Sequence, residues 1–278
     1  IMHSTSSMSW FGRLSLGGGL AFLYLPIVVL VVYSFNASKL VSVWAGFSLG
    51  WYQTLFDDEA VMAAFGLSLK VAVLASAMSV VLGTLAGLVM ARFGPFRGKS
   101  LFAGMLTAPM VMPEVITGLS MLLLFVSMQQ WLGFPEERGV LTIWVGHVTL
   151  CTAYVTVVIR SRLVEMDRSL EEAAMDLGAR PLKIFFVITL PLILPAIASG
   201  FLLSFTLSLD DLVMTAFLSG PGSTTLPQLI FSRVRLGLNP EINALGTLTV
   251  LVVAVLVISA NRIMLRQEKR RAALAAAS

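Results

Sequence analysis

Six apolar stretches, each long enough to cross a lipid bilayer, constrain this chain more than any other feature. A bilayer core is about 30 Å thick and a helix rises 1.5 Å per residue, so about 20 apolar residues make one crossing. Residues 14–33, 62–91, 101–128 and 140–159, a segment within 184–218, and residues 245–265 meet that length. Within the fifth, Pro191 and Pro195 interrupt the run. Proline is best tolerated in a helix's first turn, so we expect a short interfacial helix ending at Leu190 and a span starting near Leu192. The first stretch outruns the apolar core of a secretion signal and is read as a retained span, with a few residues missing before Ile1-Met2. The expected fold class is therefore all-α, a polytopic membrane protein forming one transmembrane domain over residues 1–278.

Composition agrees and excludes much else. Apolar residues make up 57% and charged residues 12% of the chain, where a soluble domain carries about 25% charged residues. No basic stripe stands on a polar domain, which argues against nucleic acid as a partner. The single cysteine, Cys151, excludes an internal disulfide framework and a multi-thiolate metal site. His3 and His147 are too far apart in sequence to suggest a zinc site, so no metal is expected. No phosphate-cradling G-x-x-x-x-G-K-[ST], metalloprotease H-E-x-x-H or nucleophile-elbow G-x-S-x-G occurs, so the chain is expected to be no enzyme.

Lysine and arginine placement sets the orientation. The N-terminal segment, the loops after spans two and four, and the C-terminal tail hold fourteen of the 19 basic residues; the other loops hold four, and Lys70 lies inside span two. Both termini are thereby expected in the cytoplasm. The first external loop concentrates aromatic residues, Trp44, Phe47, Trp51, Tyr52 and Phe56, suited either to an interfacial belt or to the lip of a transport path.

The cytoplasmic segment 160–183 balances five basic against five acidic residues, so topology statistics do not explain it. Ser169-Leu170-Glu171-Glu172 fits a capping box. Leu170, Ala173, Ala174 and Leu177 follow at helical spacing as one apolar stripe, Gly178 suits a helix terminus, and Pro181 blocks continuation. A helix of two turns is not stable alone in water, so its stripe must be covered by this chain, by lipid or by a partner.

Glu172-Ala173-Ala174, three residues, Gly178, nine residues, then Ile188-Thr189-Leu190-Pro191 match the E-A-A-x3-G-x9-I-x-L-P signature of ABC importer permeases. The chain resembles that family with its type I fold. Val43-Trp44-Ala45-Gly46, the segment from Phe205 to Leu212 and Asn239-Pro240-Glu241-Ile242-Asn243 resemble its polyamine branch, the second permease subunit of putrescine and spermidine systems. The resemblance implies that Glu172, Ala173, Ala174, Gly178, Leu190 and Pro191 belong to a coupling loop seated on an ATPase. It also implies a related second permease, two ATPase subunits binding ATP and magnesium, a periplasmic polyamine-binding protein, and a bacterial inner-membrane location.

Three carboxylates interrupt apolar runs: Glu114, Asp210 and Asp211. A charge at mid-bilayer costs roughly 2.5–3.5 kcal/mol on insertion scales. Such groups must face a wet cavity, pair with cations or be protonated, and a passing polyamine would supply ammonium partners. With Trp44 they form the expected substrate path. Against this stand plainer roles: Glu114 bonding to backbone freed by Pro109 or Pro113, and Asp210 and Asp211 capping a helix. Amino acids or an anion as cargo, an ion-driven secondary transporter, and a scaffold without a path are the competing functions. The Gly83-x-x-x-Gly87 step predicts close helix packing. Thr149, Thr152 and Thr156 form a stripe expected to bond to its own helix.

Overall fold

The computed structural model describes residues 9–40, 43–236 and 240–277, with backbone only for 256, 260, 261 and 263–277. Ile1-Met2, His3, Gly237 and Asn239 lie outside the described residues. Eleven helices are named in chain order: α1 Trp10–Tyr33, α2 Gly50–Asp57, α3 Glu59–Arg92, α4 Lys99–Val111, α5 Glu114–Leu132, α6 Val140–Glu165, α7 Ser169–Asp176, α8 Pro181–Asp210, α9 Val213–Leu218, α10 Leu226–Leu236 and α11 Glu241–Ala277. Among the described residues, α1, α3, α5, α6, α8 and the portion Glu241–Ser259 of α11 are long and apolar enough to cross a membrane.

The chain divides into two compact units. One comprises residues 1–59 and 232–254. In it Asn36 organises the loop between α1 and α2: its side chain donates to Val43 O at 2.7 Å and accepts from Ala45 N at 2.8 Å, while its carbonyl accepts from Trp51 Nε1 at 2.7 Å. Phe35 stacks on Phe47 with ring centroids 5.4 Å apart, and Trp44 meets Tyr33 edge-on at 6.1 Å. Arg233 pairs with Asp58 at 2.6 Å and with Glu241 at 3.5 Å.

The second unit comprises residues 60–231 and 255–278. Its centre is α6, which carries a continuous row of buried residues from Thr142 to Leu163. Two apolar clusters line that row. Val71, Phe125, Ile143, Leu150, Met214 and Leu218 form one, and Ala91, Val155, Ile159, Leu163, Met166 and Ile193 the other. The glycine step of α3 lies against α6. A Cβ on Gly83 would fall 2.6 Å from Val155 Cγ1 and 3.1 Å from Thr156 N; one on Gly87 would fall 3.0 Å from Ile159 Cγ2. Val155 is β-branched and stiff, and Gly200 of α8 approaches it from another side, so it cannot yield. We expect Gly83→Ala to destabilise the protein by about 1–3 kcal/mol through overpacking. Thermal unfolding in detergent measures this, and a variant as stable as the parent would contradict the close-packed seam.

Three local expectations need correction. The third apolar run is two helices. Met112 precedes Pro113, and the proline ring pushes its predecessor out of the helical region; Met112 is extended at ψ 139°, and α5 starts afresh at Glu114. The fifth segment is not an interfacial helix followed by a span. Residues 181–210 run as one helix, because a π-turn over Phe185–Thr189 widens the backbone just before Pro191. The third correction concerns the start of α7. Ser169 is already helical, with Arg168 before it at φ −70°, ψ −23°, and no capping box forms. Asp167 takes that place, accepting the Ser169 N–H at 2.9 Å, and this bond holds its carboxyl below the ordinary carboxylate range.

Candidate functional site

Two regions gather the expected residues. The first is α7 and its moorings. Its end is a Schellman motif: Gly178 N donates to Met175 O at 2.8 Å and Ala179 N to Ala174 O at 3.0 Å, with Gly178 at φ +81°, where a side chain would be strained. Glu171 holds the helix to its own chain. Its carboxylate pairs with Arg92 at the end of α3 at 2.9 Å and accepts from Thr189 Oγ1, in the π-turn, at 2.8 Å. Arg168 donates to Ala91 O at 2.6 Å. These bonds fix the inner edge of α7 and leave the opposite edge bare. Glu172 and Ala173 are exposed, Leu170 is 49% exposed and Leu177 89% exposed. The apolar stripe is thus not covered within the described residues. Leu190 and Pro191 lie inside α8 just beyond the π-turn.

The second region is a cavity of about 240 Å³ lined by Glu114, Leu150, Thr206, Leu207, Asp210, Asp211, Leu212 and Val213. The fold brings all three interrupting carboxylates to one wall. They are not equivalent. Glu114 opens α5 and is exposed; Asp210 closes α8 and is exposed. Among the described residues neither has a hydrogen-bond or ion-pair partner in the chain. Asp211 is buried and saturated. It accepts from Thr215 N and Thr215 Oγ1, both at 2.8 Å, and from Met214 N at 3.3 Å, and its Oδ2 lies 3.1 Å from His147 Nε2. It therefore starts α9, as a carboxylate does for the free N–H groups of a helix's first turn. Trp44 is not among the cavity-lining residues; it stands in the loop between α1 and α2, half exposed.

Sequence reasoning missed His147. It is 2% exposed on α6, with Nδ1 2.7 Å from Ser208 Oγ and Nε2 3.1 Å from both Asp211 Oδ2 and Thr215 Oγ1. Serine, histidine and aspartate stand in one chain here, yet Ser208 is buried. The set joins helices rather than offering a nucleophile. Of the threonine stripe, Thr149 and Thr156 bond to the carbonyls of Val145 and Thr152 as expected, at 2.8 and 2.7 Å. Cys151 is fully buried.

Residues 83–273 match the family described as binding-protein-dependent transport system inner membrane component. The chain is 62% identical over 253 residues to the putrescine transport system permease protein PotI of Escherichia coli (strain K12), covering 91% of this chain and 90% of that one. It is 39% identical over 256 residues to the spermidine/putrescine transport system permease protein PotC of the same strain, covering 91% and 94%. A solved bacterial ABC transporter involved in import of the acidic polysaccharide alginate shares the fold, with TM-score 0.74 at 18% identity over 91% of this chain and 92% of that chain. The inward-facing MetNI methionine ABC transporter does so with TM-score 0.60 at 18% identity over 74% and 97%.

Proposed function

This chain belongs to the family of inner membrane components of binding-protein-dependent transport systems, and from that membership we propose that it is a permease subunit of an ATP-driven polyamine importer, with putrescine as its main cargo. As a member of the family it is a non-catalytic, multi-pass membrane subunit, and ATP hydrolysis resides on a separate subunit. The observation that carries the cargo is 62% identity, along 91% of the chain, to a putrescine permease. The cavity chemistry agrees: two unpartnered carboxylates with apolar walls suit a molecule of ammonium groups joined by methylenes.

In this reading α7, through Glu172, Ala173, Ala174 and Gly178, seats on the ATPase. A second, related permease completes the path, and a polyamine-binding protein delivers cargo to the external face, where Trp44 stands at the lip. Both termini are cytoplasmic. ATP-driven closure moves α7, and its bonds through Arg92, Glu171 and Thr189 carry that movement into α3 and α8, biasing the spans between inward and outward access.

Reconstitution of the chain with its second permease, ATPase subunits and binding protein in proteoliposomes tests the reading. Uptake of labelled putrescine that requires ATP is expected. Transport of arginine alone would replace the cargo. Uptake that survives without the ATPase subunits and collapses with an uncoupler would replace the class.

A further inference from the structure

Resting on the cavity reading above, the geometry points to His147 as a positioning residue for transport: it clamps Asp211, fixes the break between α8 and α9, and so holds the Asp210 carboxylate toward the cargo.

The break needs a cause. Leu209 and Asp210 are helical, Asp211 is extended at ψ 121°, and α9 begins at Val213. Apolar sequence on both sides would favour one unbroken helix. The Asp211 side chain prevents it by taking the N–H groups of Met214 and Thr215. A carboxylate can do this inside a bundle only if its remaining acceptor capacity is met and its rotamer is fixed. His147 Nε2 and Thr215 Oγ1 both reach Oδ2. Ser208, three residues before Asp211 and on the preceding turn, fixes the other imidazole nitrogen. One ring on α6 thus spans the last turn of α8 and the first turn of α9.

The surroundings make this junction stiff on its far side. Met214 and Leu218 of α9 are fully buried in the apolar cluster around Ile143 and Phe125. Gly118 of α5 and Gly146 of α6 admit α9 so closely that a Cβ at Gly118 would fall 2.8 Å from Phe217, and one at Gly146 would collide with Leu218. Asp210 is on the free side, the last helical residue before the break, with its side chain in the cavity wall. Its direction is set by where α8 stops, and α8 stops where the His147–Asp211 contact stops it. His147 itself does not line the cavity, so its influence passes through Asp211.

The test is a coupling measurement in the complete transporter, reconstituted with binding protein, with putrescine imported per ATP hydrolysed as the readout. A residue that only supports the fold lowers assembled complex and leaves this ratio alone. His147→Ala should lower the ratio about tenfold. His147→Gln, whose amide can still donate toward Asp211, should restore it to within about threefold. Asp210→Asn should lower the ratio to a similar degree, and the double variant His147→Ala/Asp210→Asn should be no worse than the lower single, as for two residues acting through one group. If His147→Ala does not assemble, Ser208→Ala and Thr215→Val, which each remove one contact to the ring, take its place with a loss of about threefold. An unchanged ratio in the variant that assembles, or losses that multiply in the double variant, overturns the inference while the cavity reading stands. An unchanged ratio in Asp210→Asn removes the cavity reading and this inference together. A parent complex that imports no putrescine removes the cargo assignment instead.

Discussion

A chain carrying Leu170→Asp together with Leu177→Asn should insert and fold like the parent yet fail to retain ATPase subunits on purification. Both side chains stand on the bare edge of α7, outside the spans, and Leu177 is 89% exposed. Exposed substitutions of this kind change the stability of the chain itself by about 0.5 kcal/mol or less. In the assembly proposed above the same positions face a partner. An unpaired carboxylate buried at an interface costs about 2–5 kcal/mol, which is roughly 30- to 4,000-fold in affinity. Co-purification and putrescine uptake should fall together. Full retention of the ATPase with parental uptake would mean that α7 docks nothing. The internal control is Glu171→Gln, which weakens the mooring to Arg92 but leaves the bare edge intact. That variant should keep its ATPase and lose part of its uptake.

Much of this was legible beforehand for a physical reason. Crossing a bilayer demands length and apolarity over a continuous segment, so the six spans stand out without any knowledge of their packing. The termination of α7 at Gly178 was equally local, because only the backbone within six residues is involved. What was not legible depended on where helices stop inside apolar sequence. The break at Met112-Pro113 had a local signal, the restriction that a proline imposes on its predecessor, which the length criterion overrode. The π-turn before Pro191 had none, since a proline can be accommodated by widening the helix or by ending it, and only packing decides. His147 carries no local signal of its role. Its partner Asp211 lies 64 positions away, and no spacing rule covers such a pair. A weaker signal did exist: Ser208, Asp211 and Thr215 recur at i, i+3 and i+7 in an apolar run, and such a polar stripe inside a membrane protein implies a polar group facing it. The same pattern separates the two adjacent aspartates, since Asp211 belongs to the stripe and Asp210 does not.

Asp210 then has no structural reason to be acidic, and this sets up the second large effect. It is the last residue of α8, at the negative end of the helix dipole, where a carboxylate is disfavoured by about 0.3–1 kcal/mol and a cation favoured by the same amount. Glu114, at the first residue of α5, sits at the end that welcomes an acid, so its charge can be explained by the helix alone. Asp210→Lys should therefore leave the chain as stable as the parent, or slightly more so, in thermal unfolding. Its effect on transport should be far larger. A cation about 5 Å from an ammonium group repels it by about 3 kcal/mol at an effective dielectric of 20, and the attraction lost with the aspartate is of similar size. Either term alone is about 150-fold in an equilibrium constant. Putrescine uptake by Asp210→Lys should accordingly fall below detection, while Asp210→Asn, which adds no repulsion and whose amide oxygen still accepts from an ammonium group in partial replacement of the lost attraction, retains about a tenth. Unfolding temperature and uptake moving in opposite directions would place the charge in the service of cargo. Uptake at the parental rate with lysine at this position would mean that no cation passes that wall of the cavity.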